Sequence, residues 1–173
     1  YDGDTYNLSI GQGFIKVTPL QVATAFSAIA NGGSLYQPEV LQKIVDSEKN
    51  LVEEDKSSSS PFAATRVIEE IKPTIISENF IDQKNLQIVR EGMRQAVTNG
   101  SATGWLDMLP VKVAAKTGTA QLGGDYFNNW VTVFAPYEDP QIVLTVMVEN
   151  VKGEMVAALP VAREVLQWYF AQQ

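Results

Sequence analysis

The side chains with the most chemical potential stand together at Val113-Ala114-Ala115-Lys116-Thr117-Gly118-Thr119-Ala120-Gln121. In an extended strand side chains alternate, so Thr117 and Thr119 share a face and Gly118 leaves the opposite face bare. A glycine inside a strand weakens it and marks a place where a ligand or another backbone comes close. Two hydroxyls, one ammonium and unblocked backbone N–H groups on one short segment suit a carboxylate lying beside a carbonyl. The ammonium neutralises the anion, the hydroxyls orient it, and a strand N–H can aim at a developing oxyanion. On Lys-Thr-Gly alone, a plain surface strand with a solvated lysine is the better account, because tripeptides recur by accident and take their meaning from context.

Two absences narrow the chemistry. The chain has no histidine, which excludes a Ser-His-Asp or Cys-His mechanism within it. It has no cysteine, so thiol nucleophiles, disulfides and thiolate metal sites are also out. The acidic residues are scattered, with nothing like a D-x-D-x-D-G calcium loop; no metal and no cofactor is expected. Acyl transfer here must use Ser, Thr or Lys, which fits a Ser-Lys mechanism. The formal net charge of −7 argues against a nucleic-acid surface, which needs a clustered basic face. At 173 residues the chain is one domain's worth. No apolar run approaches the ~20 residues that span a bilayer, and no signal-peptide pattern opens the chain. Tyr1-Asp2-Gly3-Asp4 reads as the middle of something, so the chain is expected to be a piece of a longer protein.

The elements that must position the strand follow from local pattern. Residues 5–14, with Ser9-Ile10-Gly11-Gln12-Gly13, read as a tight loop. Thr18, Pro19 and Gln21 make a capping box with proline at the first helical position. The helix they open, residues 20–30, is apolar on nearly every face, so it is expected buried, and it stops at Asn31-Gly32-Gly33. Residues 35–45 read as short strands broken by Pro38, and 67–77 as another short apolar stretch interrupted by Pro73. The acidic and serine-rich segment 47–64 reads as a mobile surface loop. Asp82 caps an amphipathic helix with Leu86, Val89, Met93 and Val97 inward and Lys84, Arg90, Glu91 and Arg94 on the other side, ended by Asn99-Gly100. Residues 101–110 read as a loop. Strands over 129–136 and 141–149 join the Lys116 strand in an antiparallel meander, the last so apolar that cover on both faces is predicted. A helix over 156–170 can lay Val161, Val165, Leu166, Trp168 and Tyr169 across that sheet. The fold class is α+β, an antiparallel sheet flanked by helices, without internal repeats or a second domain.

In this order the pieces resemble the transpeptidase domain of class B penicillin-binding proteins, of the elongation type. The matching residues are Ser9-Ile10-Gly11-Gln12-Gly13, Val17-Thr18-Pro19-Leu20-Gln21, Ala30-Asn31-Gly32-Gly33, Lys116-Thr117-Gly118-Thr119-Ala120-Gln121, the run from Trp130 to Pro136, and the helix at Pro160. The resemblance implies a peptidoglycan D,D-transpeptidase, inhibited by β-lactams, that works through a serine acyl-enzyme. Carried over, Lys116 is the electrostatic anchor, Thr117 and Thr119 bind the substrate carboxylate, the Thr119 backbone N–H is half of the oxyanion hole, and Gly118 clears the nucleophile's helix. The chain contains no S-x-x-K, and Ser77-Glu78-Asn79 fits S-x-N by letters only, so the nucleophile is expected outside it. Three departures bear on the loop after the strand and on substrate detail: Ala115 where many relatives have Gly, Asn128 or Asn129 where a His often stands, and Thr132-Val133 for a usual Val-Gly pair.

The family fold is a five-stranded antiparallel sheet between helical layers, with the motif strand at one edge. On that pattern residues 1–173 are the C-terminal portion of one transpeptidase domain, incomplete by two strands and the nucleophile helix. The strand at 142–149 would then lack a neighbour, and the isolated chain is expected to be unstable unless dimerised or complemented. Implied partners are stem peptides ending in D-Ala-D-Ala, β-lactams, a membrane glycosyltransferase and other wall-synthesis proteins, with no nucleic acid. The implied location is extracytoplasmic, anchored by an N-terminal segment. A β-lactam sensor or β-lactamase on the same fold, or a catalytically silent wall-synthesis scaffold, are the alternatives.

Overall fold

A computed structural model describes residues 2–45, 67–153 and 156–172; the loop expected at 47–64 lies outside the described residues. The elements in order are α1 (Asp2–Ser9), α2 (Pro19–Ala30), β1 (Leu35–Tyr36), β2 (Lys43–Val45), β3 (Val67–Glu70), β4 (Ile75–Ser77), α3 (Gln83–Thr98), β5 (Ala114–Gly123), β6 (Tyr126–Ala135), β7 (Ile142–Lys152) and α4 (Ala158–Ala171). The main sheet is the expected antiparallel meander, in the order β5-β6-β7, and the motif strand β5 is at its edge. Two short antiparallel ladders, β1 with β4 and β2 with β3, stand apart from it.

Alternation sorts the sheet's residues onto two helical layers. Val113, Ala115, Val131, Val133 and Ala135 form one core with Val97, Ala102, Leu106 and the α4 residues Ala158, Leu159, Ala162 and Leu166. Ala114 and Phe134 face the other way, against Ala30 and Met93. The turn between β5 and β6 needs left-handed backbone at Gly123 and Gly124, with φ of 104° and 60°, which glycine takes without steric cost.

The helix starts follow the sequence closely. In α2 the Gln21 N–H donates to Thr18 Oγ1 at 3.2 Å and the Thr18 N–H to Gln21 Oε1 at 2.9 Å, so each satisfies a donor the helix leaves orphaned. In α3 Asp82 Oδ1 accepts from the Lys84 and Asn85 N–H groups at 2.9 and 3.2 Å.

Burial departs from expectation where partners are lacking. Only Ala28 and Ala30 of α2 are buried, and Leu20 is 61% exposed, because the sheet covers one side of this all-round apolar helix and no described residue covers the other. β7 has a core on each face, Ile142, Leu144, Val146 and Val148 toward α4 and Val143 toward α2. Its apolar side chains nonetheless remain half-exposed, since it is the outermost strand among the described residues.

The helices also differ from expectation in extent and in the faces they bury. Residues 5–14 are not all loop: α1 runs to Ser9, with Asp2 and Asp4 in its first turn, where the helix dipole favours negative charge. In α4 the sheet-facing stripe is Ala158, Leu159, Ala162 and Leu166. Small alanines let that face approach closely, so Val161, Val165 and Trp168 are left exposed and Tyr169 half-buried. In α3 Val89 is exposed, while Arg90 and Arg94, expected on the solvent side, turn inward. Their guanidinium groups reach carbonyls for which no described backbone donor is recorded. Arg90 donates to Ile29 O, Ala30 O and, at 2.8 Å, Tyr137 O, and it lies 4.9 Å from the Phe134 ring centroid. The 101–110 segment is the expected loop of turns, and it is anchored in the core by Ala102 and Leu106, both fully buried.

Candidate active site

The chemistry-bearing groups lie along the open edge of β5. In an antiparallel ladder a residue's N–H and C=O leave the strand on the same side, and the side alternates along the chain. The Thr119 carbonyl accepts from the Gln12 side chain at 3.1 Å, and the Gln121 N–H donates to Gln12 Oε1 at 3.4 Å. Residues 117, 119 and 121 therefore present their backbone groups outward, and Lys116, Gly118 and Ala120 present theirs to β6. The Thr119 N–H consequently points to the open side, as an oxyanion donor must.

The four residues singled out in the sequence are brought together. Lys116 is exposed, and its Nζ donates to the Thr117 carbonyl at 2.5 Å, which sets the ammonium on the same edge as the Thr119 N–H. Thr117 and Thr119 share the α4 side of the sheet, opposite Val131 and Asn129. The Thr117 hydroxyl is 2.7 Å from Ser101 Oγ, so its rotamer is fixed by a neighbour from the segment after α3. Gly118 is on the other side, opposite Trp130, and among the described residues a Cβ added there would meet only Trp130 Cβ, at 3.5 Å. The bare face is thus not filled by any described residue.

Three contributors were missed. Ser101 and Arg94, which donates to Val113 O at 2.8 Å, carry no local sign of their role. Gln12 did carry one: a long amide between Gly11 and Gly13, whose φ of 75° and 95° turn the backbone tightly around it, is a side chain put on display. Ser77, by contrast, ends β4 in the ladder with β1 and takes no part in the β5 sheet.

The departures from the family pattern have structural roles. Asn129 Oδ1 accepts from the Ala157 and Ala158 N–H groups at 3.2 and 2.9 Å, capping α4, whose own cap residue Ala157 has no side chain to do so. Asn128 Oδ1 accepts from the Asn150 N–H at 3.2 Å, where Asn150 has a φ of 54°. The Thr132 hydroxyl is buried but paired with Thr145 at 3.1 Å across β6 and β7. The arrangement at the β5 edge can bind a carboxylate through Lys116, Thr117 and Thr119 and present an N–H to an adjacent carbonyl carbon's oxygen.

Comparison with known families matches residues 1–167 to the penicillin binding protein transpeptidase domain. The chain is 29% identical over 188 residues to the peptidoglycan D,D-transpeptidase MrdA of Haemophilus influenzae, covering 99% of this chain and 26% of that protein. Its fold matches penicillin-binding protein A from M. tuberculosis in an imipenem acyl-enzyme complex, with a TM-score of 0.72 at 26% identity over 96% of this chain and 33% of that one. It also matches penicillin-binding protein 2 of Helicobacter pylori in complex with MreC, with a TM-score of 0.66 at 25% identity over 98% of this chain and 27% of that one. The chain spans about a quarter of the length of the curated relatives it matches.

Proposed function

The chain belongs to the penicillin-binding protein transpeptidase family and is similar to its elongation-type, class B members, and on that premise we propose that it is the C-terminal portion of a peptidoglycan D,D-transpeptidase domain. In the reaction a serine hydroxyl attacks the carbonyl of the penultimate D-alanine. The peptide C–N bond breaks, and the terminal D-alanine leaves with the proton. An amine of a neighbouring stem peptide then attacks the acyl-enzyme ester, forming the cross-link and regenerating the serine. β-Lactams enter as donor mimics and leave the serine acylated. The nucleophile and its lysine base come from sequence outside this chain.

The observation that carries this proposal is the convergence of Lys116, Thr117 and Thr119 on one open strand edge with the Thr119 N–H directed outward. Lys116 neutralises the terminal carboxylate of the donor, and the two threonine hydroxyls orient it. The Thr119 N–H donates to the oxyanion, a contribution on the order of 3 kcal/mol for one such donor. Because that substrate lies outside the cytoplasm, the parent protein acts on the outer face of the cytoplasmic membrane, held by an N-terminal anchor. Its partners there are a membrane glycosyltransferase and other wall-synthesis proteins; the H. pylori relative's complex with MreC supports an assembly of this kind.

The test is the intact mass of the full-length protein after incubation with benzylpenicillin, beside its Lys116→Ala variant. A single stable adduct that is lost or slowed in the variant is expected. No adduct on the wild-type protein would favour a silent scaffold, and an adduct that decays within seconds a β-lactamase.

A further inference from the structure

We infer that Gln12 is a positioning residue of the acyl-transfer site: its side-chain amide stands in for a neighbouring strand on the free edge of β5 and fixes the Thr119 N–H between two covered carbonyls. This rests on the function proposed above. The amide donates to Thr119 O and accepts from the Gln121 N–H, the pair of outward groups that one residue of a parallel neighbour would serve. Glutamine is suited to this, since its amide offers both an acceptor and donors. Glutamate of the same size lacks the donor, and alanine lacks both. Gln12 is half-buried in an otherwise exposed segment, and none of the residues of α1 before it is buried. The connection between this segment and β5 is therefore made by the amide, across more than a hundred residues of sequence.

The electrostatic consequence falls on Thr119. A carbonyl oxygen facing the same space as an oxyanion repels it. On this edge the Thr117 carbonyl is covered by the Lys116 ammonium and the Thr119 carbonyl by Gln12. The N–H between them is left as the group that faces incoming negative charge. Losing the Gln12 donor exposes one carbonyl dipole beside the oxyanion and frees the strand to shift.

The test uses the full-length protein and a fluorescent penicillin, with acylation resolved into a binding constant and an acylation rate constant. Gln12→Ala and Gln12→Glu are compared with wild type, the second keeping size and acceptor in case the first disturbs folding. Hydrogen exchange of the peptide spanning residues 117–123 is read in parallel. The rate constant is expected to fall about tenfold in both variants, the order that follows a sub-ångström misplacement of reacting groups. Binding and melting temperature should stay near wild type, and exchange at 117–123 should speed up. An unchanged acylation rate constant in either variant overturns the positioning role, even if exchange rises. A wild-type protein that takes no label overturns the acyl-transfer proposal instead. Unchanged exchange at 117–123 in Gln12→Ala overturns the clamp whatever the labelling shows.

Discussion

Gly118→Ala separates what the fold needs from what the chemistry needs. Gly118 is not among the residues with positive φ, so alanine can take its backbone conformation. Among the described residues the added methyl would meet only Trp130 Cβ at 3.5 Å, an ordinary van der Waals contact. A strand glycine is less stable than alanine by about 0.5–1 kcal/mol because it loses more backbone freedom on folding. The substitution should therefore leave stability unchanged or raise it by about 0.5 kcal/mol. Acylation should behave oppositely. If the bare face receives the nucleophile's helix, a methyl group there displaces it by on the order of 1 Å, which costs about a hundredfold in rate. Urea unfolding of the full-length protein and its rate of labelling by a fluorescent penicillin measure the two effects. A stability loss above ~1 kcal/mol would refute the packing side, since it lies beyond any gain or strain expected at an open site. Labelling of Gly118→Ala at the wild-type rate would refute the idea that the face is kept bare for the reaction.

Arg90→Ala removes the donor from the Ile29, Ala30 and Tyr137 carbonyls, and bonds to a charged donor are worth roughly 1.5–3 kcal/mol each without being additive. A loss of about 3 kcal/mol is expected on that scale, and a urea-unfolding difference below ~1 kcal/mol would show that water serves those carbonyls equally well. Asn129→Ala should cost about 1 kcal/mol by uncapping α4, whereas Asn129→Asp, which keeps the acceptor and places negative charge at a helix N-terminus, should not; equal melting temperatures for the two variants would contradict the cap. The hydrogen bond from Lys112, at 2.7 Å, holds the Glu138 carboxyl below the ordinary glutamate range. A depressed folded value means the pair's contribution is complete above the ordinary glutamate pKa and is lost as pH falls through the lower folded value. Both partners are exposed, so the effect is small and screened by salt. Wild type and Glu138→Gln should differ slightly in melting temperature at neutral pH and low salt and converge in acid; a gap that widens on acidification would contradict the pairing.

What was legible in the sequence is what local physics determines. Thr18 with Gln21, and Asp82 with the N–H groups that follow it, satisfy helix donors within one turn, so the starts of α2 and α3 could be read directly. Strand alternation placed Thr117 and Thr119 together and Gly118 opposite, because that period is a property of the backbone. The failures involve side chains whose partners are remote. Periodicity assigns Arg90 to the polar side of α3, but its reach lets it serve carbonyls about fifty to sixty residues away. Val161, Val165 and Trp168 are as hydrophobic as the residues that do pack, and only the closer approach allowed by Ala158 and Ala162 decides between the two stripes. Ser101 and Gln12 meet β5 from 16 and 107 residues away, a distance at which no spacing rule operates.

The sheet's two edges are treated in opposite ways, and this difference connects fold to function. An exposed strand edge is a template for another strand unless something blocks it. Of the outward carbonyls along β5 and the residue before it, those of Val113, Thr117 and Thr119 are each taken by a side chain, from Arg94, Lys116 and Gln12. A pairing strand would have to displace two cations and an amide, so this edge resists extension while its Thr119 N–H stays open to a small anionic group. Along β7 no side chain among the described residues bonds to the outer edge, and the apolar side chains there are only half-covered. Sheet continuation is therefore favoured at β7 and opposed at β5. The donor peptide of the proposed reaction is extended chain as well, but on that proposal it brings a carboxylate to this edge, which a neutral strand does not. Under the function proposed above, Lys116 thus serves twice, covering the edge against a neutral strand and attracting a ligand that carries a carboxylate.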